Sequence, residues 1–243
     1  MNKLYEKSEV GFSILWIVIY VVGTSLADGL SGVIGIEKSL TFIFHIVLSA
    51  VVLIWIKKQG FFEKYGLCKT DVKSSKFLYY IPLVIISTCN LWLGVKMNLS
   101  LPETLLYMVS MLCVGFLEEI IFRGFLFKAM AKNDIKSAII VSSITFGIGH
   151  VINLVNGSGA NLLSNLCQVV YAMAAGFLFV IIFYRGKTLL PCIITHSIVN
   201  CLSAFANEDI TPTVEIIVAI ILTVLEVSYS LILLKTLPKE NKA

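Results

Sequence analysis

Three short stretches keep polar side chains that an apolar chain has little reason to carry. "EEIIFR" (118–123) places Glu118, Glu119 and Arg123 inside a long hydrophobic run. "FGIGHVIN" (146–153) adds His150 to a second run, and "HSIVN" (196–200) adds His196 and Asn200 to a third. A carboxylate at mid-bilayer costs roughly 2.5–3.5 kcal/mol on insertion scales, so intramembrane ionisable groups are functional candidates by default. Helix geometry divides the first set. Glu119 and Arg123 stand one turn apart at i and i+4 and can pair, whereas Glu118 points about 100° away. Pairing relieves most of the desolvation of Glu119 and Arg123. Glu118 is left as a desolvated carboxylate, a form suited to general base or acid chemistry near neutral pH. The expected division is therefore Glu119–Arg123 as an orienting frame and Glu118 as the reacting group. The alternative is a purely structural polar cluster.

The other two stretches reach the same level. Phe146, His150 and Asn153 fall near one face of a helix at i, i+4 and i+7, and His196 and Asn200 are i and i+4 on another. Glu118 lies 14 residues before Lys132 and His150 lies 14 after Lys136, so both sit about 21 Å along their helices from a basic edge. His196 and Asn200 lie nine and 13 residues after Lys187 and reach toward that zone. A lone histidine on an apolar helix usually makes an interhelical hydrogen bond, but three matched clusters favour a shared site. Gly147 and Gly149 would allow close helix contact beside His150, and Pro191 could bend the approach of the helix bearing His196. His45 and Glu226 are isolated and are expected to serve bundle hydrogen bonding.

The elements that must position these groups are membrane helices. The 243 residues are 58% hydrophobic and only 14% charged, against about 25% charged in a soluble domain. The pattern predicts an all-α, polytopic transmembrane bundle in a single domain over 1–243. Eight apolar segments are read at about 10–27, 40–56, 77–95, 104–131, 136–155, 162–184, 188–206 and 212–235. The connections sort by sign. Lys3, Lys7, Lys57, Lys58, Lys64, Lys69, Lys73, Lys76, Lys128, Lys132, Lys136, Arg185, Lys187, Lys235, Lys239 and Lys242 lie on one set. The alternate set holds Lys38 and Lys96 beside Asp28, Glu37, Glu103, Glu208 and Asp209. The positive-inside rule then predicts both termini in the cytoplasm. It also accounts for the net charge of +4 without nucleic acid. The basic, aromatic segment "KKQGFFEKYGLCKTDVKSSKF" is read either as lying on the cytoplasmic lipid surface or as a solvated loop. The first apolar run is long for a signal core, so an uncleaved first helix is expected. Six scattered cysteines show no CxxC or CxxH spacing and are expected to pack as small hydrophobes.

At these residues the sequence resembles the CPBP intramembrane proteases, also called the CAAX-protease and bacteriocin-processing, or Abi, family. That family carries Glu-Glu-x-x-x-Arg, Phe-x-x-x-His and His-x-x-x-Asn/Asp on separate membrane helices, matched here by 118–123, 146–150 and 196–200. The resemblance implies an intramembrane endopeptidase of the glutamic type with no essential metal or cofactor. In it, Glu118 and His150 would activate water, His196 and Asn200 would stabilise the oxyanion, and Glu119 and Arg123 would orient the site. It further implies a membrane-associated peptide or protein as substrate, cut near the cytoplasmic leaflet. Eukaryotic members trim prenylated CaaX proteins. Bacterial members are associated with bacteriocin-like peptide processing and self-immunity. With only Arg123 and Arg185 among its cations as arginines, the chain reads as bacterial, in a cytoplasmic membrane. Rival readings are a non-proteolytic immunity or scaffold protein, a zinc protease and a proton-coupled transporter. The absence of His-Glu-x-x-His counts against zinc, and the absence of paired broken helices in matching halves counts against transport.

Overall fold

The computed structural model describes residues 1–154 and 161–238; Lys239, Lys242 and the last residue of the fifth segment lie outside the described residues. After a short helix at Asn2–Lys7, the chain forms α1 (Glu9–Ile34), α2 (Thr41–Gln59), α3 (Ile81–Ser87) and α4 (Leu101–Glu118). It continues as α5 (Ile135–Gly149), α6 (Leu162–Gly186), α7 (Leu190–Leu202) and α8 (Pro212–Thr236). With the turns that extend it to Met130, α4 becomes a continuous helical rod of 30 residues. Six of these elements are long and apolar enough to cross a membrane. The protein is thus a polytopic helical bundle. Its outer surface is apolar: Ile14, Val18, Val22 and Leu26 recur every four residues along α1, each at least half exposed, as a lipid-facing stripe requires.

Two of the eight expected segments are not long helices. The third is broken, with α3 only seven residues long, about 10 Å. Just before it, Leu78, Tyr79 and Tyr80 take left-handed backbone conformations with φ of 49°, 53° and 61°, which stop an α-helix. The break is held by α8. The Tyr229 hydroxyl donates to the Phe77 carbonyl at 2.7 Å, and Thr236 donates to the Lys76 carbonyl at 2.8 Å. The seventh segment is the 13-residue α7, extended by a tight turn at Ser203–Phe205. Pro191 sits in the first turn of α7, where its missing N–H has no partner to lose, so it starts the helix rather than bending it.

The two sets of connections gather at opposite ends of the bundle. At one end Lys64 and Lys132 both pair with Glu9, each at 2.9 Å. Asp134 caps α5 there by accepting from Ser137 and Lys136, and the Ser137 hydrogen bonds hold its carboxyl below the usual carboxylate range. At the other end Lys38 pairs with Asp28 at 2.8 Å and Lys96 with Asp209 at 2.7 Å, while the Glu37 N–H donates to Glu103. The basic segment after α2 keeps Lys57, Lys58, Lys69, Lys73 and Lys76 exposed but is anchored to the bundle at a few points. Tyr65 and Phe77 are buried in protein, and the Gly66 carbonyl accepts from the Leu189 N–H at 2.8 Å. Gly66 has φ of +65°, and a Cβ there would come within 2.8 Å of the Leu189 nitrogen, so only glycine fits this close approach.

Candidate functional site

The site begins where α4 changes pitch. From Glu119 to Phe127 the chain forms a π-helix, and every residue in it is buried. Such wide turns are rare and frequent at functional sites. One carbonyl in it is satisfied from outside, since Ser142 of α5 donates to the Phe122 oxygen at 2.9 Å. The change of pitch falls between the two glutamates. Glu118 ends the α-helical part and lines an internal cavity of about 1100 Å³; Glu119 lies behind the cavity wall and is fully buried.

His196 of α7 stands between them. Its Nδ1 is 2.9 Å from Glu119 Oε1 and its Nε2 is 3.4 Å from Glu118 Oε2. A carboxylate only accepts, so the Nδ1 contact assigns a proton to that nitrogen. Glu119 Oε1 also lies 3.1 Å from Arg123 Nη1, an ion pair by distance that buries both side chains completely. The guanidinium carbon is 3.9 Å from the centroid of the Phe146 ring and 5.6 Å from that of Phe179, a cation–π arrangement that compensates part of its desolvation. Phe146 also meets the rings of His150 and His196 edge-on, at 5.4 and 5.6 Å.

His150 starts the tight turn that ends α5, and its carbonyl accepts from Asn165 of α6 at 2.7 Å. Asn153 therefore lies beyond the α-helix, where it donates to Gln168 at 3.1 Å. Glu118, His150, His196 and Asn200 all line the same cavity, whereas Glu119 and Arg123 do not. Six residues chosen from the sequence thus fall into a lining set and a supporting set.

Close backbone contacts join α4 to α7 and α5 to α6. A Cβ on Gly115 would come within 2.7 Å of the Ser197 nitrogen, so α4 and α7 touch next to His196. A Cβ on Gly147 would stand 2.9 Å from the Met173 nitrogen, which fixes α5 against α6. Gly149 does not share that role, because nothing approaches within 4 Å of its Cβ position.

Tyr20 was not legible as a site residue. It is one tyrosine in the run "WIVIYVVG", yet its hydroxyl donates to Glu118 Oε1 at 2.6 Å and the side chain is buried. Its only sequence signal is a polar-tipped aromatic in mid-span. His45 stacks on Tyr20 and shares hydrogen bonds with Thr24 (3.0 Å) and Ser110 (2.8 Å), the bundle role expected for it. Glu226 is buried along the cavity wall, and its Oε2 has no hydrogen-bond partner among the described residues; the bundle hydrogen bond expected of its carboxylate is not seen. All six cysteines are free, and no group of three His, Cys, Asp or Glu that could hold a metal ion occurs among the described residues.

Residues 100–202 match the family described as type II CAAX prenyl endopeptidase Rce1-like. The matched stretch contains all three motifs, runs from the start of α4 to the end of α7, and supports the CPBP, or CAAX-protease, family for this chain. No curated protein and no solved structure gives a significant match to the chain.

Proposed function

We propose that the protein is an intramembrane endopeptidase that hydrolyses a peptide bond in a membrane-associated polypeptide, using water activated by Glu118 and His150. The observation that carries this reading is the convergence of Glu118, His150, His196 and Asn200 from three helices on one cavity, with Glu119 and Arg123 behind it. Glu118 takes a proton from water as the oxygen adds to the scissile carbonyl carbon, and His150 orients that water from the opposite helix. Negative charge collects on the carbonyl oxygen. His196 and Asn200 face that oxygen, and removing a donor of this kind typically costs about 2.7–4 kcal/mol of transition-state stabilisation. With its Nδ1 proton committed to Glu119, His196 donates from Nε2 only as imidazolium. When the intermediate collapses, Glu118 returns its proton to the leaving amine.

Tyr20 holds Glu118 in place in this scheme and is a positioning residue. Tyr20→Phe removes a hydrogen bond to a charged group, worth about 1.5–3 kcal/mol. The expected result is a kcat lowered about ten- to hundredfold, with KM and folding little changed. An equal rise in KM would instead mean that Tyr20 contacts substrate. Because the reading needs no metal, cleavage is expected to persist after exhaustive chelation; its loss, restored by added zinc, would favour the metalloprotease alternative.

The family match supports an integral membrane protein, and the Lys-rich composition favours a bacterial cytoplasmic membrane. The test of function is a comparison of membrane peptidomes from cells carrying the wild-type chain and Glu118→Gln. Peptides present only with the wild type identify substrate and bond together. Identical peptidomes with an unchanged cellular effect would favour an immunity or scaffold role.

A further inference from the structure

Among the described residues the cavity's lining extends to one end of the bundle, and that end is not the basic one. Its lining includes Asp28, Lys38, Asn161, Asn207, Glu208 and Glu215, from three of the four less basic connections or the helix ends beside them. None of its lining residues falls within 1–19, 46–85, 123–145 or 180–195. Those ranges hold the basic connections up to α7, the ends that Glu9, Lys64 and Lys132 tie together. Between Glu118 and that end the bundle is closed by aromatic packing. Phe125 meets Phe12 at 5.2 Å, Tyr65 at 5.1 Å and Trp55 at 5.8 Å, and all four side chains are buried. The floor below the site is therefore close-packed, and the cavity extends the opposite way.

The positive-inside rule assigns the basic connections to the cytoplasm. Combining that assignment with the direction in which the cavity extends, we propose that the site is entered from the non-cytoplasmic face. Its substrate is then an extended polypeptide segment presented on that face, either secreted or anchored in the outer leaflet. This rests on the peptidase reading for the word substrate, but not for the direction of access. It replaces the cytoplasmic-leaflet cleavage that the family resemblance implied. It also disfavours a prenylated carboxyl terminus made and held on the cytoplasmic side. Glu208 and Glu215 along the wall, with the Asp28–Lys38 pair also in the lining, make the entrance more receptive to neutral or basic segments than to acidic ones.

Access can be read without any substrate. Single cysteines are placed in a background lacking the six native ones: Ser203→Cys and Gln168→Cys in the cavity wall, Glu208→Cys at the entrance, and Lys73→Cys at the basic end. Intact cells are treated with a membrane-impermeant cationic methanethiosulfonate, and monodispersity in detergent confirms folding of each variant. The proposal expects Glu208→Cys, Ser203→Cys and Gln168→Cys to react in intact cells, and Lys73→Cys to react only after permeabilisation. Reaction of both wall cysteines only after permeabilisation, or not at all, would overturn it, as would reaction of Lys73→Cys in intact cells. Labelling is independent of turnover, so an unchanged peptidome with Glu118→Gln combined with the expected labelling would remove the peptidase reading and leave the direction of access standing.

Discussion

Glu118→Gln is expected to lower peptide-bond hydrolysis by about 10²–10⁴-fold, the usual contribution of a positioned general base. The amide keeps the size of the carboxylate and can still pair with the Tyr20 hydroxyl, which donates to Oε1 at 2.6 Å. It cannot take a proton from water. The cavity and helix packing should be unaffected, since Glu118 is the glutamate that faces the cavity rather than the buried core. Loss of kcat with normal thermal stability and little change in KM is the outcome that matches this role. A variant with near wild-type turnover would assign the base elsewhere.

Arg123→Ala is expected to damage the fold as well as the reaction. Arg123 and Glu119 are both fully buried, and among the described residues Glu119 is paired with Arg123 and His196 alone. Breaking a buried pair from one side typically destabilises by about 3–5 kcal/mol, because the remaining charge is left without compensation. The measurement is thermal unfolding in detergent alongside cleavage. Arg123→Lys should recover little of either. A lysine is a compact, strongly hydrated charge without the planar face that lies 3.9 Å over the Phe146 ring. A stable, active Arg123→Ala protein would show that Glu119 needs only His196.

Much of this arrangement was legible because membranes make polar residues conspicuous. Glu118, Glu119, Arg123, His150 and His196 stand out in apolar runs, and helical spacing alone separates the Glu119–Arg123 pair from Glu118. What the spacing concealed was local. The α-to-π change after Glu118 leaves no mark in the pattern of apolar residues, because both helix types bury this stretch on all sides. Segment 77–95 has the composition of a span, and only the tertiary contacts of Tyr229 and Thr236 with the preceding backbone explain why it breaks. Tyr20 carries no motif, so its bond to Glu118 required the packing of α1 against α4. The burial of Tyr65 in the segment after α2 was not legible because its partner, Phe125, is remote in sequence.

The central claim is that side chains from separate helices act on one water and one carbonyl. Its most direct test uses a peptide identified from the wild-type peptidome, with purified protein in proteoliposomes, and compares Glu118→Gln, His150→Ala and the double variant. Groups that serve a single step lose their effect together. The account predicts that each single change nearly abolishes cleavage and that the double variant is scarcely slower than the worse single one. Losses that multiply would mean that Glu118 and His150 act independently, and cleavage that survives either change would contradict the shared site.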